Sequence, residues 1–330
     1  MFYLFRKEIN MHAVKIRKYL IGVVVFSFCL CYAKISSAET DRFGDGFNTA
    51  FTLGSGYRSD NLDWNIAGDI SGNNPNVLSE LNWEDLGIFQ VKLDNVTIFR
   101  GIYFRGAVAY GWIITGDVQD SDYLGDNRTL EFSRSNNNAD DGNTFDATVG
   151  IGYQFSFGSN FLSLAPMVGY SRHEQNLTLT GGNQTIPPAG PFAGLNSTYE
   201  AEWTGPWVGA DLVFQMPYEK KYFEKFSFRV SFEYHWADYN AEADWNLRTD
   251  FTHPKSFEHD ADGSGWIVSA DWNIFFTSQL GFKMSVNYQS WDTDPGNDRT
   301  FFSDGTAAET RLNDVNWDSF AIMLGIVYRL

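Results

Sequence analysis

Hydrophobic and polar positions alternate at period two along most of this chain. The last segment, Ser319 to Leu330, shows it most clearly. Phe320, Ile322, Leu324, Ile326, Tyr328 and Leu330 share one face, while Ser319, Ala321, Met323, Gly325, Val327 and Arg329 share the other. Successive strand residues point to opposite faces and rise ~3.3 Å each, so such a segment can cross a bilayer on a tilted path. The alternative for one such strand is a half-buried strand of a soluble sandwich. Other segments repeat the division. Phe145, Ala147, Val149, Ile151, Tyr153, Phe155 and Phe157 oppose Asp146, Thr148, Gly150, Gly152, Gln154 and Ser156. Phe226 to Trp236 gives an aromatic row opposite Ser227, Arg229, Ser231, Glu233 and His235, and Leu280 to Tyr288 gives one opposite Lys283, Ser285, Asn287 and Gln289.

Strands are predicted at about 46–58, 77–92, 102–114, 144–157, 161–177, 198–215, 225–237, 265–276, 280–291 and 317–330. The connections alternate between long, at about 18 to 29 residues, and short, the short ones falling at 93–101, Gly158–Asn160, 216–224 and Thr277–Gln279. Short periplasmic turns and longer outer loops are the asymmetry of an outer-membrane barrel. The reading is therefore all-β: a ten-stranded antiparallel transmembrane β-barrel. The last strand closes it against Phe47 to Gly56. Arg or Lys facing lipid at mid-depth costs ~2–4 kcal/mol. Arg105, Asp146, Gln154, Arg229, Glu233, His235 and Lys283, all on polar faces, are accordingly expected to line the lumen. Two strands are irregular. The second loses its alternation after Leu81 and Trp83, at Gly87, and Gly205-Pro206 in the sixth predicts a bulge, because proline cannot donate to a ladder.

The N-terminus changes the picture of location. Lys15, Arg17 and Lys18 precede an apolar run from Tyr19 to Tyr32, and Ser36-Ser37-Ala38 follows. This predicts an export signal over 1–38, cleaved after Ala38, with Met1 or Met11 as the start. Residues 39–330 then form a single barrel domain. Cys29 and Cys31 both lie in the signal, so the mature domain has no disulfide and no thiolate chemistry. It keeps 18 Lys and Arg against 40 Asp and Glu, a net charge of −22. That argues against nucleic acid as a partner and against a general anion pore. Mean hydropathy is −0.29, which a barrel tolerates because only alternate residues touch lipid.

Candidate chemistry is sparse. The stretch 115–143 reads as an acidic outer loop carrying Asp117, Asp120, Asp122, Asp126, Glu131, Asp140 and Asp141, which is either a carboxylate site or a solvated surface. Asp260-Ala261-Asp262-Gly263 is a fragment of a calcium loop. Glu233 and His235 are adjacent on one face and suit either acid–base work or a polar network filling a narrow barrel. No zinc-protease, serine-hydrolase or phosphate-loop motif occurs.

Two resemblances follow from these residues. Asp120-Ser121-Asp122 above the third strand, and Tyr199 to Gly209 (YEAEWTGPWVG), resemble the omptins, outer-membrane proteases built on ten strands. The resemblance implies an Asp-x-Asp pair at Asp120 and Asp122, facing an Asp-x-His pair beyond the seventh strand. Here that region reads WADYNAEADWNLR. Alignment on Trp236 puts Ala243 and Trp245 at those positions, and alignment on Tyr234 puts Asp244 and Asn246 there. Neither supplies an imidazole, and His253 and His259 lie outside both. Loss of such a base costs roughly a factor of 10² to 10⁴. The fold is carried over from this resemblance and the protease activity is not. The segments Tyr103–Tyr123 and Leu130–Phe155, with Glu131-Phe132-Ser133-Arg134-Ser135, resemble the Protochlamydia-type outer membrane proteins over most of the mature chain. That implies a porin-like outer-membrane barrel.

The expectation is a bacterial outer-membrane barrel without enzymatic activity, cofactor or metal, acting as a small cation-leaning pore or a structural surface protein. Its partners would be outer-membrane lipids and the barrel assembly machinery, with the oligomeric state left open. The alternatives are an omptin-like protease using Asp120 and Asp122, and an adhesion or receptor barrel. The Leu330 terminus departs from the aromatic that most often ends such barrels.

Overall fold

The computed structural model describes residues 47–157, 161–220 and 223–330. The predicted signal, with Cys29 and Cys31, lies outside them, as do the turn Gly158–Asn160 and the tip of the turn at 216–224. Fourteen strands form one antiparallel sheet among the described residues. In chain order they are β1 (Phe47–Ile66), β2 (Ser79–Phe99), β3 (Ile102–Gly125), β4 (Thr129–Asn138), β5 (Gly142–Tyr153), β6 (Phe155–Phe157), β7 (Leu162–Ile186), β8 (Gly190–Pro191), β9 (Ser197–Lys220), β10 (Phe223–Asp244), β11 (Phe257–Phe275), β12 (Leu280–Thr293), β13 (Gly296–Phe301) and β14 (Ala307–Arg329). β4, β5 and β6 are consecutive pieces of one wall strand, β12 and β13 are pieces of another, and β8 is a short flap on β7. The wall is thus a closed ring of ten strands. β14 pairs with β1 and closes the barrel, Phe51 opposite Tyr328 and Tyr57 opposite Ile322. Closure leaves no sheet edge in hydrocarbon, where each unpaired backbone group costs several kcal/mol.

The alternation is realised physically. On β10, Phe232 and Trp236 point outward and are about half exposed, while Glu233 and His235 between them are buried in the lumen. The outward row of β14 from Phe320 to Tyr328 is exposed to the same degree. Trp112, Tyr170, Trp236, Trp266 and Tyr288 form the outer aromatic belt. Phe99, Tyr153, Phe155, Phe157, Phe161 and Tyr328 form the belt by the short turns. One of these turns is Arg100-Gly101, whose residues both take positive φ, 50° and 86°. This is the two-residue hairpin turn whose twist matches the flanking strands.

Three expectations need correction. The acidic stretch 115–143 is not a loop. β3 runs on to Gly125 and returns as β4, so Asp117, Asp120 and Asp122 sit on a wall that stands well above the aromatic belt. Asp260 to Gly263 likewise belongs to β11, paired in register with Ala237 to Asn240, and extended backbone cannot wrap a cation as a calcium loop does. Gly205-Pro206 produces no bulge: Thr204 pairs with Asp238 and Trp207 with His235 in one unbroken register. Gly205 serves close approach instead, since a Cβ there would lie 1.9 Å from the Trp236 carbonyl oxygen. The irregularity expected in the second strand is a bulge between Glu84 and Ile88, where Asp85 takes a φ of 54°. It shifts the inward row from Leu81 and Trp83 to Leu86 and Ile88, all buried.

Leu324→Arg, in the middle of the lipid-facing row of β14, is expected to destabilise the barrel by ~2–4 kcal/mol, while Leu124→Arg, above the membrane, changes it by less than ~0.5 kcal/mol. Urea unfolding in phospholipid vesicles, followed by the heat-modifiable gel shift, measures both.

Candidate functional site

A wall strand that is apolar outside has only one place to put its charges. β1 brings Arg58 and Asp60 into the lumen, β3 Arg105, β5 Asp146, β7 His173, β9 Asp211, β10 Arg229, Glu233 and His235, β11 Asp271, and β12 Lys283. There they pair across the barrel. Arg58 donates to Asp60 at 2.5 Å and to Asp146 at 2.8 Å. Arg105 donates to Asp211 at 2.6 Å and to Glu233. Arg229 donates to Asp271, and Lys283 bridges Asp94 at 3.0 Å and Asp271 at 3.3 Å. Two imidazoles join: His173 lies 2.8 Å from Asp146, and His235 lies 3.2 Å from Glu233 and 3.0 Å from the Ser171 hydroxyl. Tyr103 donates its phenol proton to Asp211 at 2.7 Å, and the Trp317 indole donates to Asp60 at 3.0 Å. Within this network a cavity of about 120 Å³ remains.

On the extracellular side an aromatic layer covers the network. Trp317 stacks on Trp291 at 5.5 Å, Trp203 packs on both, and Tyr239 lies 4.5 Å from Trp203. Tyr199 and Tyr239 share a hydrogen bond of 2.6 Å, and Trp83 and Trp64 stack on Tyr199 at 5.2 and 5.8 Å. His259 completes the layer, at 2.9 Å from Tyr199 and 3.2 Å from Asp298. Each of these side chains is at most 3% exposed. The Trp317–Asp60 hydrogen bond joins the two layers, while the Trp64, Trp83 and Trp203 indole N–H groups are buried without an acceptor among the described residues.

Above the aromatic layer the acid pair faces inward. Asp120 is half-buried and accepts a hydrogen bond from the side chain of Trp245, on the segment after β10. Asp122 accepts from Ser79 and Ser133. Loss of water raises the Asp120 carboxyl to about 8, with Asp122 adding to the rise and Arg248 opposing it. Desolvation raises Asp122 as well. Arg248 in turn is held charged, first by its hydrogen bond to Asp250. Of the two alignments considered above, the structure brings Trp245 to the acid pair, which is the one made on Trp236. Asn246 instead accepts from the Asn196 backbone and Ser197. His253 folds back onto Asp244, Nδ1 lying 2.5 Å from its carboxylate, and Nε2 lies 3.2 Å from the Arg248 carbonyl oxygen. Both ring nitrogens are therefore engaged within this segment.

The residues expected in the lumen are all there. Arg105, Asp146, Arg229, Glu233, His235 and Lys283 enter the network, and Gln154 lines a separate vestibule at the end with the short turns. Arg58, Asp60, Asp94, His173, Asp211, Asp271, Trp64, Trp291 and Trp317 were not singled out in the sequence, although every one lies on the polar parity of its strand.

A closed ten-strand barrel with two aromatic belts and charge confined to its lumen is an outer-membrane β-barrel of a Gram-negative bacterium. Residues 52–330 match the family described as Pom, Protochlamydia outer membrane protein, and the chain belongs to that family. No curated protein is matched by sequence. Among solved structures the chain is similar to the outer membrane protease OmpT of Escherichia coli, at a TM-score of 0.68 and 15% identity over 88% of this chain and 99% of that one. It also matches the translocator domain of the autotransporter NalP from Neisseria meningitidis, at a TM-score of 0.34 and 9% identity over 95% of this chain and 98% of that one. The first of these likenesses establishes the shape of the barrel.

Two predictions follow from this geometry. Asp271→Ala leaves Arg229 and Lys283 short of a partner and is expected to cost ~3–5 kcal/mol in the same unfolding assay. Asp120 keeps its proton in the folded barrel to about 8 and releases it in the carboxylate range when unfolded. Between those values the folded state binds more protons, so stability falls as pH rises. The melting temperature in micelles should drop from about pH 4 to about pH 8, and Asp120→Asn should flatten that dependence.

Proposed function

We propose that this protein is a closed, non-enzymatic surface barrel: a structural outer-membrane protein whose tall extracellular wall is its working surface. The observation that carries the reading is the ion-pair network across the lumen with the aromatic layer packed above it. A water-wide path would have to break ion pairs spanning the barrel, such as Arg58–Asp146, Arg105–Asp211 and Lys283–Asp94, and then part the Trp203, Trp291 and Trp317 cluster. Breaking one buried pair costs ~3–5 kcal/mol, so a thermally open state would be rare. This favours the structural half of the expectation over the cation-leaning pore. The absence of enzymatic activity rests on Trp245 beside Asp120, because an indole N–H neither accepts nor relays a proton at neutral pH.

Liposome swelling tests the closed lumen. Vesicles carrying the purified barrel should swell in arabinose no faster than protein-free vesicles, and size-dependent swelling would contradict the proposal. The protease alternative is tested with basic peptides. No cleavage is expected above that of Asp122→Ala, and turnover lost in that variant would restore the alternative.

A further inference from the structure

Below the charge network, at the end with the short turns, the barrel opens into a vestibule of about 140 Å³. Its wall carries Lys225 and Ser227 on β10, Arg329 on β14, Gln154 between β5 and β6, Gln215 on β9, and Asn48 on β1. Its roof is formed by Arg229 and Lys283 of the network, and Asp94 is the one carboxylate among its lining residues. That carboxylate is already engaged by Lys283 at 3.0 Å, and Arg229 is engaged by Asp271. Lys225 and Arg329 are different. Neither has a carboxylate partner among the described residues, although both are partly buried inside the barrel. The Arg329 guanidinium carbon lies over Phe275, 4.1 Å from the ring centre, and its Nε is buried with no acceptor among the described residues.

Among the described residues, Arg58, Arg105, Arg229 and Lys283 of the lumen each have a carboxylate partner. Two neighbouring cations in a concave pocket, without counter-charge, repel each other and lose hydration, and an anion relieves both costs. The polar groups around them are neutral amides and a hydroxyl, which donate hydrogen bonds to oxygen acceptors. The planar guanidinium suits two oxygens of one group, and the lysine ammonium adds a point charge. The volume of about 140 Å³ admits a tetrahedral oxyanion with a small substituent.

We propose that this vestibule is a periplasm-facing binding site for phosphate or a small phosphomonoester, held between Lys225 and Arg329 and capped by the Gln154, Gln215 and Ser227 side chains. A phospholipid phosphate is the other source of the same chemistry. The vestibule lies inside the wall, so a lipid anchored in the surrounding leaflet does not reach it. This site does not depend on whether the lumen above it is closed.

The test uses the full mature barrel in zwitterionic micelles at low ionic strength. Inorganic phosphate and methyl phosphate are titrated by calorimetry, beside acetate and short-chain phosphatidylglycerol. Saturable binding at one site per barrel is expected for both phosphates. Lys225→Gln and Arg329→Gln should each weaken it about tenfold or more, the loss of one charge-assisted hydrogen bond. Lys225→Arg should retain it, and Arg248→Gln, at the far end of the barrel, should leave it unchanged. The heat-modifiable gel shift confirms that each variant is folded. Absence of saturable phosphate binding, binding that survives both glutamine variants, or acetate or the lipid binding as tightly as phosphate would each overturn the proposal.

Discussion

The structure depends on one constraint: in hydrocarbon, a charge can face only the lumen, and a ten-strand lumen is too narrow to hydrate what it receives. Each strand therefore exports its apolar residues and imports its polar ones. The imported charges meet across a few ångströms and have to be paired. Arg105 illustrates the outcome. It leaves β3 and bonds carboxylates on β9 and β10, which ties β3 to the β9–β10 hairpin. Arg58 does the same between β1 and β5, and Lys283 between β12 and β2. Such pairs add little net stability over an apolar core, because desolvation offsets their attraction. Their consequence is geometric: the wall is cross-braced through its interior.

The aromatic layer follows from the same geometry at a different height. Above the membrane the outer face of the wall meets water, so the apolar burden moves inside. On β2 the bulge at Asp85 reverses the parity, and Leu81 and Trp83 turn inward where Phe89 had faced lipid. Trp64, Trp203, Trp291 and Trp317 occupy the same level, and together they form a small hydrophobic core in the throat of the barrel. This inversion makes the upper barrel resemble a soluble domain. It also separates the acid pair Asp120 and Asp122 from the charges below.

How legible this was in the sequence depended on height. Within the membrane, the lipid-facing rows of β10, β12 and β14 could be read residue by residue, and closure of β14 on β1 followed. Above it, the signal vanished. Asn136, Asn137 and Asn138 have poor intrinsic preference for strands, yet they pair with β3 because its backbone is already extended beside them. Hence 115–143 read as a loop. Gly205-Pro206 misled in the opposite direction, since a missing donor can be tolerated without a change of register. The lumen residues were readable as a set, because their parity is local. Their partners were not: Arg105 and Glu233 lie 128 positions apart, and only the closed ring brings them together. The position of Trp245 against Asp120 was one of two alignments that the sequence left equal.

The account stands on the claim that paired charges and the aromatic layer close the lumen, and ionic conductance tests it most directly. Planar-bilayer recording should show no conductance steps for the natural sequence. A variant carrying Trp203→Ala, Trp291→Ala and Trp317→Ala together with Arg105→Ala, Asp211→Ala and Glu233→Ala should show them. Discrete steps from the natural barrel, at ordinary voltage and salt, would contradict the account.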